Sequence, residues 1–252
     1  MSPLAATKNK YDGIYIHPDE LPSDPNQFVE DLLASLELWR NDGIAAVWLS
    51  LPAPHSHLSS AALRCGFEYH HCAASELMLV QRLVPDSPLP SFATHTIGAG
   101  GLVLSGNKEI LTVVERQDLV ARPDHLKLPG GMLEPGEHVA NGVVREVLEE
   151  TGIQTEFESI VGFRHHHGGQ FGTSNIYFVC TLRPLSFDIT IDEAEIGRAL
   201  WMPVDEYLAN DGVGLLNKHV VRETLRSSGL TSMKLEGYRS SSHEYEVYSP
   251  AP

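Results

Sequence analysis

Apolar positions in the first third of the chain follow a helical period and then an extended one. Four apolar residues recur at three- and four-residue steps, the spacing of one helix face, at Phe28, Leu32, Leu36 and Trp39. Asp24 is typical of a residue that caps such a helix, and Gly43 of the turn that ends it. The apolar runs IAAVWLSLP and ELMLVQRLV predict buried strands, and LSSAALRCGF between them predicts a second helix. Together these elements predict a small α/β domain.

Two adjacent histidines, His70 and His71, lie just before the second of these runs. A pair of histidines raises the question of a shared metal ion. Adjacent residues on a regular strand point to opposite faces of the sheet. We therefore expect these two side chains to lie apart and not to bind one ion together.

The chain changes character at a proline-rich segment. VPDSPLPS carries three prolines and no apolar period, so it predicts a linker, which we place at residues 85–92. The linker separates an N-terminal domain, residues 1–84, from a larger domain, residues 93–230. The remaining residues, 231–252, are predicted to form a loosely ordered tail in which EYEVY adds an edge strand.

The second domain opens with two extended patterns. THTIGAGGLVLS and KEILTVVER, with a turn at Asn107 between them, predict a β-hairpin. The segment DHLKLPGGMLEPGE is too rich in glycine and proline to form a regular element. A helix is predicted from about Glu137 to Thr151, and Gly152 ends it.

Three glutamates crowd one side of that helix. At about 100° per residue, Glu146, Glu149 and Glu150 fall within an arc of roughly 100°, beside a face of valines and Leu148. Carboxylates this close repel one another, and the helix dipole disfavours negative charge near the C-terminal end. A divalent cation reverses that penalty, and oxygen ligands suit Mg²⁺ or Mn²⁺, with the glycine-rich loop offering backbone groups. The alternative is a solvated acidic face paired with lysines.

Composition narrows the class of protein. The 252 residues are 42% hydrophobic and 20% charged, as in an ordinary soluble globular protein. No apolar run reaches the roughly 18 residues that span a bilayer, and the first residues resemble no targeting segment, so we predict a cytosolic protein with a nuclear pool left open. A net charge of -15 argues against binding to duplex nucleic acid but not against a small phosphorylated ligand held through a metal ion. Three cysteines without a CxxC pair predict reduced thiols.

The glycine-rich loop and the acidic helix together resemble a known signature. Gly131, then Glu137, then the run REVLEETGI at 145–153 fill every fixed position of the Nudix hydrolase motif over 23 residues. The resemblance implies an α/β (α+β) fold, in which a mixed β-sheet lies between helices and follows the small N-terminal α/β domain. It also implies hydrolysis of a nucleoside diphosphate linked to a group X, by attack of water on a pyrophosphate phosphorus.

The resemblance assigns roles to individual residues. It implies that Glu146, Glu149 and Glu150 bind Mg²⁺ or Mn²⁺, with the backbone carbonyl of Gly130 or Gly131 as a further ligand. Arg145 is expected to orient the glutamates through an ion pair with Glu137. The remaining motif positions are structural, at Gly131 and Gly152. The general base varies within the family: we expect Glu149, with Glu195 in the segment DEAEIGRALWM as the competitor.

A run of three histidines follows the motif helix. Adjacent histidines rarely converge on one ion, so we prefer a substrate-facing loop or a polar strand end to a zinc site at residues 165–167. Arg164, His167 and Phe171 are the residues that we expect to contact a base or phosphate of the substrate. Asn175 departs from the subfamily pattern, in which we expect Asp.

The resemblance extends beyond the motif to roughly residues 20–210. Segments such as LPSFATHTIGAGGLVL and FRHHHGGQFGTSNIYFVCTLRPLSF resemble a two-part Nudix subfamily that includes the fibroblast growth factor antisense protein and plant ADP-ribose and NADH pyrophosphatases. The leading prediction is a Mg²⁺-dependent pyrophosphatase for ADP-ribose or NADH. Hydrolysis of another nucleotide (coenzyme A, a nucleoside triphosphate or a capped nucleotide) and a non-catalytic nucleotide-binding module remain open. The subfamily's habit also implies a homodimer.

Overall fold

The computed structural model describes residues 3–9, 12–87, 89–169, 172–226, 228–234 and 245–250. Their contacts divide the chain into two compact units, Met1–Thr94 and His95–Pro252. The residues assigned to a linker therefore belong to the first unit, and those assigned to a tail belong to the second. No helix of the described residues is long and apolar enough to cross a membrane. The cytosolic location remains a prediction.

The N-terminal unit is a five-stranded sheet with two helices. Its strands are β1 (Ala6–Lys8), β2 (Ile14–Ile16), β3 (Ala46–Pro52), β4 (Glu68–Ala73) and β5 (Glu76–Arg82), in the order β1-β2-β3-β5-β4. The β2 and β3 strands are parallel and the other neighbours are antiparallel. The helices are α1 (Pro25–Asn41) and α2 (Ser59–Arg64). Short 3-10 helices cover Pro18–Glu20 and Ala53–Leu58.

The predicted first helix is confirmed in its cap and in its buried face. The Asp24 side chain accepts a hydrogen bond from the Gln27 N–H at 2.9 Å, which satisfies one free donor of the first turn. The apolar stripe is buried against the sheet, with Phe28, Leu32 and Leu36 inaccessible to solvent. The capping residue and the buried apolar face thus both support a helix at the predicted position.

His70 and His71 do not point to opposite faces, and that expectation was wrong. The pairing of β4 with β5 shifts register between Tyr69 and His71, so the regular alternation of side chains breaks there. The Nδ1 atoms of the two rings are 2.7 Å apart, and His70 Nε2 lies 2.8 Å from the Pro90 carbonyl oxygen. His71 also stacks on Phe92 with ring centroids 4.2 Å apart. The pair fastens the proline-rich segment to its own unit.

The C-terminal unit is built on two sheets. The six-stranded sheet, in the order β13-β12-β9-β10-β6-β8, contains β6 (His95–Val103), β8 (Gly130–Met132), β9 (Thr155–His167), β10 (Ser174–Pro184), β12 (Leu230–Met233) and β13 (Val247–Pro250). The sheet is mixed, because β10 is parallel to β6 and antiparallel to β9. A two-stranded sheet pairs β7 (Glu109–Glu115) with β11 (Ile196–Pro203). The helices are α3 (Val139–Thr151), α4 (Val204–Ala209) and α5 (Leu215–Thr224).

The predicted hairpin at Asn107 is wrong. The chain turns there, and Ser105 N–H donates to the Glu109 carbonyl at 2.8 Å, but only the isolated bridge between Leu104 and Ile110 links the two strands. The first strand, β6, joins the six-stranded sheet, whereas β7 pairs with the distant strand β11. A local turn signal therefore predicted the turn but not the partners of its strands.

Separate cores lie on the two faces of the six-stranded sheet. On one face, Val139, Val143 and Val147 of α3 pack against the sheet. On the other, the core includes Tyr207 of α4 and Val221 of α5. A mixed sheet between helices was the predicted architecture, and it is confirmed. The predicted helix faces differ at two positions, because Leu148 is 45% exposed while Glu150 is 5% exposed.

Glu246, the residue just before β13, caps the acidic helix. His138, the N-cap of α3, makes no side-chain cap hydrogen bond. Instead, Glu246 Oε1 accepts from the Val139 N–H at 2.8 Å, and the Tyr248 hydroxyl donates to Glu246 Oε2 at 2.6 Å. A carboxylate is favourable at this end of a helix because the free N–H groups carry partial positive charge. Residues beside the end of the chain thus hold the start of α3.

We expect Glu246→Ala to lower the free energy of unfolding by about 1 kcal/mol, the usual effect of removing a helix cap. Thermal and denaturant unfolding of the purified protein measure this change. The matched control is Glu158→Ala, at an exposed glutamate on β9. Equal stability of the two variants would show that the contact contributes nothing.

Candidate active site

Two glycines bring the loop before α3 against its glutamates. Gly130 has φ +147°, and a Cβ there would lie 2.2 Å from the Ala99 carbonyl oxygen. A Cβ on Gly131 would lie 2.6 Å from a carboxylate oxygen of Glu146. Only glycine fits at either position without displacing the backbone or that carboxylate. Gly130 thus allows the loop to approach β6, and Gly131 allows it to approach Glu146 of α3.

Arg145 is the centre of a hydrogen-bond network at this site. Its Nε and one Nη donate to the two carboxylate oxygens of Glu137, both at 2.8 Å. Its other Nη donates to Glu146 and to Glu149, both at 2.9 Å. The Met132 carbonyl accepts a further bond at 3.2 Å. One planar guanidinium therefore fixes three carboxylates and the glycine-rich loop.

The network changes the proton affinities of its members. The bonds from Arg145 lower the pKa of Glu137, and Glu137 in turn raises the pKa of Arg145, so both stay charged. Burial raises the pKa of Glu146, and the negative charge of Glu149 adds to this effect against the opposing effect of Arg145. Arg145 therefore offsets only part of the negative charge gathered here.

Glu150 lies on the other side of the helix from Arg145 and is almost fully buried. One of its oxygens accepts a hydrogen bond from the Gly130 N–H at 3.0 Å. Burial raises its pKa to about 8, and the nearby carboxylates of Glu195, Glu146 and Glu115 contribute. A bound cation beside such a carboxylate would favour its ionised form.

The donor set fits a hard divalent cation. All the side-chain donors are carboxylate oxygens, which are the ligands that Mg²⁺ and Mn²⁺ prefer. Among the residues that the structure describes, no three His, Cys, Asp or Glu side chains already converge as a ligand set. Arg145 takes one oxygen each from Glu146 and Glu149, which leaves the second oxygen of each for a metal.

Glu150 opens onto a cavity of about 340 Å³. Its lining residues come from strands β7 to β10, from the loop that precedes β8, from α3 and from the start of α5. They are Val113, Glu115, His125, Leu126, Lys127, Leu128, Gly130, Glu150, Arg164, Tyr177, Gly214, Leu216 and Asn217. Glu115 forms an ion pair with Lys127. The cavity thus combines acidic side chains, Glu115 and Glu150, with basic ones, Lys127 and Arg164.

Of the two described residues that were expected to contact substrate, Arg164 lines this cavity and His167 does not. Its guanidinium donates to the Asn175 side chain at 2.9 Å and lies 5.7 Å from the centre of the Tyr177 ring. Asn175 in turn donates to the Thr96 hydroxyl at 3.0 Å, so the guanidinium is held from behind. Because Asn175 is neutral, it leaves the charge of Arg164 uncompensated.

The other two residues have different outcomes. His167 and His165 lie on the same face of β9, and Arg164 lies on the opposite face. The Nδ1 atom of His167 is 2.9 Å from the Ser174 hydroxyl. His167 is not part of the cavity lining. His165 pairs instead with His95, with the Nε2 atoms 2.9 Å apart. Phe171 lies outside the described residues.

Glu195 lies in the loop that precedes β11, within electrostatic reach of Glu146 and Glu150. Its backbone carbonyl accepts a hydrogen bond from the Arg116 N–H at 2.7 Å, which ties this loop to the end of β7. It lines a neighbouring surface depression with Glu115. Both candidates for the general base, Glu149 and Glu195, are exposed side chains at the same acidic site.

Sequence reasoning missed much of the cavity wall. Glu115, His125, Lys127 and Tyr177 belong to three different parts of the chain, and no spacing relates them. The only available signal was local: Glu115 ends an apolar run, and a polar residue at the end of a buried strand often faces a site.

We expect Glu150→Gln to stabilise the metal-free protein and to abolish its stabilisation by Mg²⁺. Because the folded pKa of about 8 exceeds the ordinary 4.5, folded protein binds more protons, so wild-type stability falls as pH rises from about 4.5 to 8. The amide carries no charge and removes that fall. Melting temperatures in EDTA across this pH range, and then in Mg²⁺, measure both effects. A Mg²⁺ response in the variant equal to that of wild type would contradict the assignment of Glu150.

Comparisons with known proteins cover both units. A model of the NUDIX domain matches residues 94–223, and a model named Nudix hydrolase domain matches residues 4–83. The chain is 42% identical over 207 residues to Nudix hydrolase 8 of Arabidopsis thaliana, covering 81% of this chain but 56% of that relative's length. It is 40% identical over 206 residues to Nudix hydrolase 2 of the same plant, covering 81% and 74%. It is 36% identical over 204 residues to human nucleoside diphosphate-linked moiety X motif 6, covering 79% and 63%.

Proposed function

The chain belongs to the Nudix hydrolase family, and from that membership we propose that it hydrolyses the pyrophosphate of ADP-ribose or NADH. The products are AMP and a phosphorylated X group. One observation carries the proposal: Arg145 holds Glu137, Glu146 and Glu149 in one network beside the cavity into which Glu150 opens. A pyrophosphate in that cavity meets both the carboxylates and the basic wall.

We propose Mg²⁺ or Mn²⁺ as the metal, held by Glu146, Glu149 and Glu150 with help from the backbone of Gly130. When bound, the metal neutralises pyrophosphate charge and lowers the pKa of the attacking water. The carboxylates supply the negative charge that holds it. Arg145 keeps two of them oriented toward it.

Glu149 is the proposed general base. In the reaction a water oxygen forms a bond to phosphorus while the bridging P–O bond breaks, and the carboxylate accepts the proton of the water. Glu149 is exposed, and Arg145 holds one of its oxygens. Its other oxygen can either bind the metal or accept the proton; when Glu149 acts as the base, Glu146 and Glu150 hold the metal and this oxygen accepts the proton. Glu195 is the alternative base.

Basic side chains support binding of the substrate phosphates. Arg164 and Lys127 line the cavity and present donors to an anion. The Tyr177 ring beside Arg164 offers a flat surface against which the guanidinium is held. Neither contact selects one X group over another.

The test is an assay of the purified protein with Mg²⁺ against ADP-ribose, NADH, NAD⁺, coenzyme A and deoxynucleoside triphosphates. Chromatography of the products identifies the bond that is cleaved. We expect AMP from ADP-ribose or NADH. If the protein hydrolyses only another nucleotide, the proposed substrate is wrong but the proposed reaction stands. Inactivity with both Mg²⁺ and Mn²⁺ would favour a binding module.

We also propose a homodimer, following the habit of the subfamily that the chain resembles. Size-exclusion chromatography with light scattering measures the mass directly. The expected mass is twice that of the 27.7 kDa chain. A single 27.7 kDa species across the concentration range would contradict it.

A further inference from the structure

A buried carboxylate stands behind one wall of the catalytic cavity. Asp118, in the loop between β7 and β8, is 4% exposed and is not part of the cavity lining. Its Oδ1 accepts a hydrogen bond from Arg122 at 2.6 Å, and its Oδ2 lies 2.7 Å from His125 Nδ1. These two bonds lower the pKa of Asp118, so the group is an ionised acceptor. The hydrolytic mechanism makes no use of it.

The pairing fixes the orientation and the tautomer of the His125 ring. An ionised carboxylate can only accept, so the hydrogen between the two groups belongs to His125 Nδ1. In the neutral ring, Nε2 then carries a lone pair and acts as an acceptor. Arg122 balances the charge of Asp118 at the other oxygen.

The backbone of the loop holds this pair in place. The Arg122 N–H donates to the Asp118 carbonyl at 2.7 Å, and the His125 N–H donates to the Arg122 carbonyl at 2.9 Å. Two residues later, Lys127 exchanges backbone hydrogen bonds with Val113 of β7 at 2.9 and 3.0 Å. The His125 side chain is 28% exposed and lines the cavity. Nε2 lies on the far side of the ring from Asp118 and makes no hydrogen bond to any residue that the structure describes.

We propose that Asp118 and His125 form a dyad that presents His125 Nε2 to the nucleotide, where it accepts a hydrogen bond from a sugar hydroxyl. This inference rests on the proposed function of the same cavity. Three charged side chains of the same wall do not offer a free acceptor: Lys127 and Arg164 only donate, and Glu115 is paired with Lys127. The ligand class is a nucleotide with a free ribose hydroxyl near its pyrophosphate.

His125→Asn separates the proposed contact from a structural role. The Asn amide can replace Nδ1–H as the donor to Asp118, but it has no atom at the position of Nε2. We expect an unchanged melting temperature, an unchanged kcat and a KM for ADP-ribose about three- to tenfold higher, as for one lost neutral hydrogen bond. Asp118→Asn, which frees the ring to take the other tautomer, is expected to raise KM in the same way.

Two analogues identify the hydroxyl. One is ADP-ribose built on 2′,3′-dideoxyadenosine, which lacks both hydroxyls of the adenosine ribose, and the other is the methyl ester of ADP, which lacks the terminal ribose. The KM effect of His125→Asn is expected to vanish with the analogue that lacks the contacted hydroxyl. An unchanged KM for ADP-ribose, or an effect that persists with both analogues, would overturn the proposal. A lowered melting temperature with kcat reduced on every substrate would show a structural role instead.

If the wild-type protein turns over none of these substrates, the proposed function fails and the dyad is tested by binding. Titration calorimetry with ADP-ribose then compares wild type with His125→Asn. Weaker binding by the variant would support the proposed contact of the dyad with the nucleotide. Equal binding by both proteins, or no binding by wild type, would overturn it.

Discussion

Glu149→Gln is expected to lower kcat by about 10²- to 10⁴-fold, the usual contribution of a general base. The substitution removes the charge and proton affinity of the carboxylate with little change of volume. Glu149 is exposed, so the fold and the melting temperature should remain those of wild type. Steady-state kinetics on the best substrate, with the melting temperature measured in parallel, give the result.

Two further variants make that result specific. Glu195→Gln tests the competing base, and Glu158→Gln on β9 is the control for an exposed glutamate away from the motif. If Glu149→Gln lowers kcat less than about tenfold, or 1.4 kcal/mol, while Glu195→Gln lowers it more, the base is Glu195.

Arg145→Lys is expected to lower kcat/KM by about 10²-fold, the order of effect that follows from misplacing catalytic groups by about 1 Å. Lysine keeps the charge but cannot reproduce the planar fork that holds Glu137 by two bonds and also reaches Glu146 and Glu149. We also expect a loss of about 1–3 kcal/mol in stability, because the Glu137 side chain is 15% exposed and loses partners.

Arg183→Lys is the matched control for that variant. Arg183 pairs with Glu156, but both side chains are more than half exposed, and exposed ion pairs add little to stability. Wild-type kinetics and stability are expected there. Full activity in Arg145→Lys would contradict the view that the guanidinium fork orders the site.

The sequence predicted the elements whose signals are local. The α1 helix follows its cap and stripe, and α3 ends at Gly152 in the left-handed conformation. The resemblance to the Nudix motif implied the ion pair of Arg145 with Glu137, and the structure has that pair. The contact of Arg145 with Glu149 follows from a four-residue step on one helix, which can be read from spacing alone.

The wrong predictions concern strand pairing and burial that depend on contacts between distant parts of the chain. β7 pairs with β11 instead of β6, which no turn signal can indicate. Glu150 is buried and Leu148 is exposed, the reverse of what their hydrophobicity predicts. The Gly130 N–H and the nearby cavity accommodate the buried carboxylate. The bulge at His71 likewise broke a regular alternation. His125 and Tyr177 reach the cavity only through the tertiary fold.

The most direct test of the central claim is the release of AMP from ADP-ribose by wild type and by Glu149→Gln, each with Mg²⁺ and with EDTA. We predict AMP in stoichiometric amounts with ribose 5-phosphate from wild type with Mg²⁺ alone, and a rate at least about 10²-fold lower in the other three reactions. AMP release at the same rate in EDTA, or from Glu149→Gln as fast as from wild type, would contradict the assignment of metal-assisted hydrolysis to these glutamates.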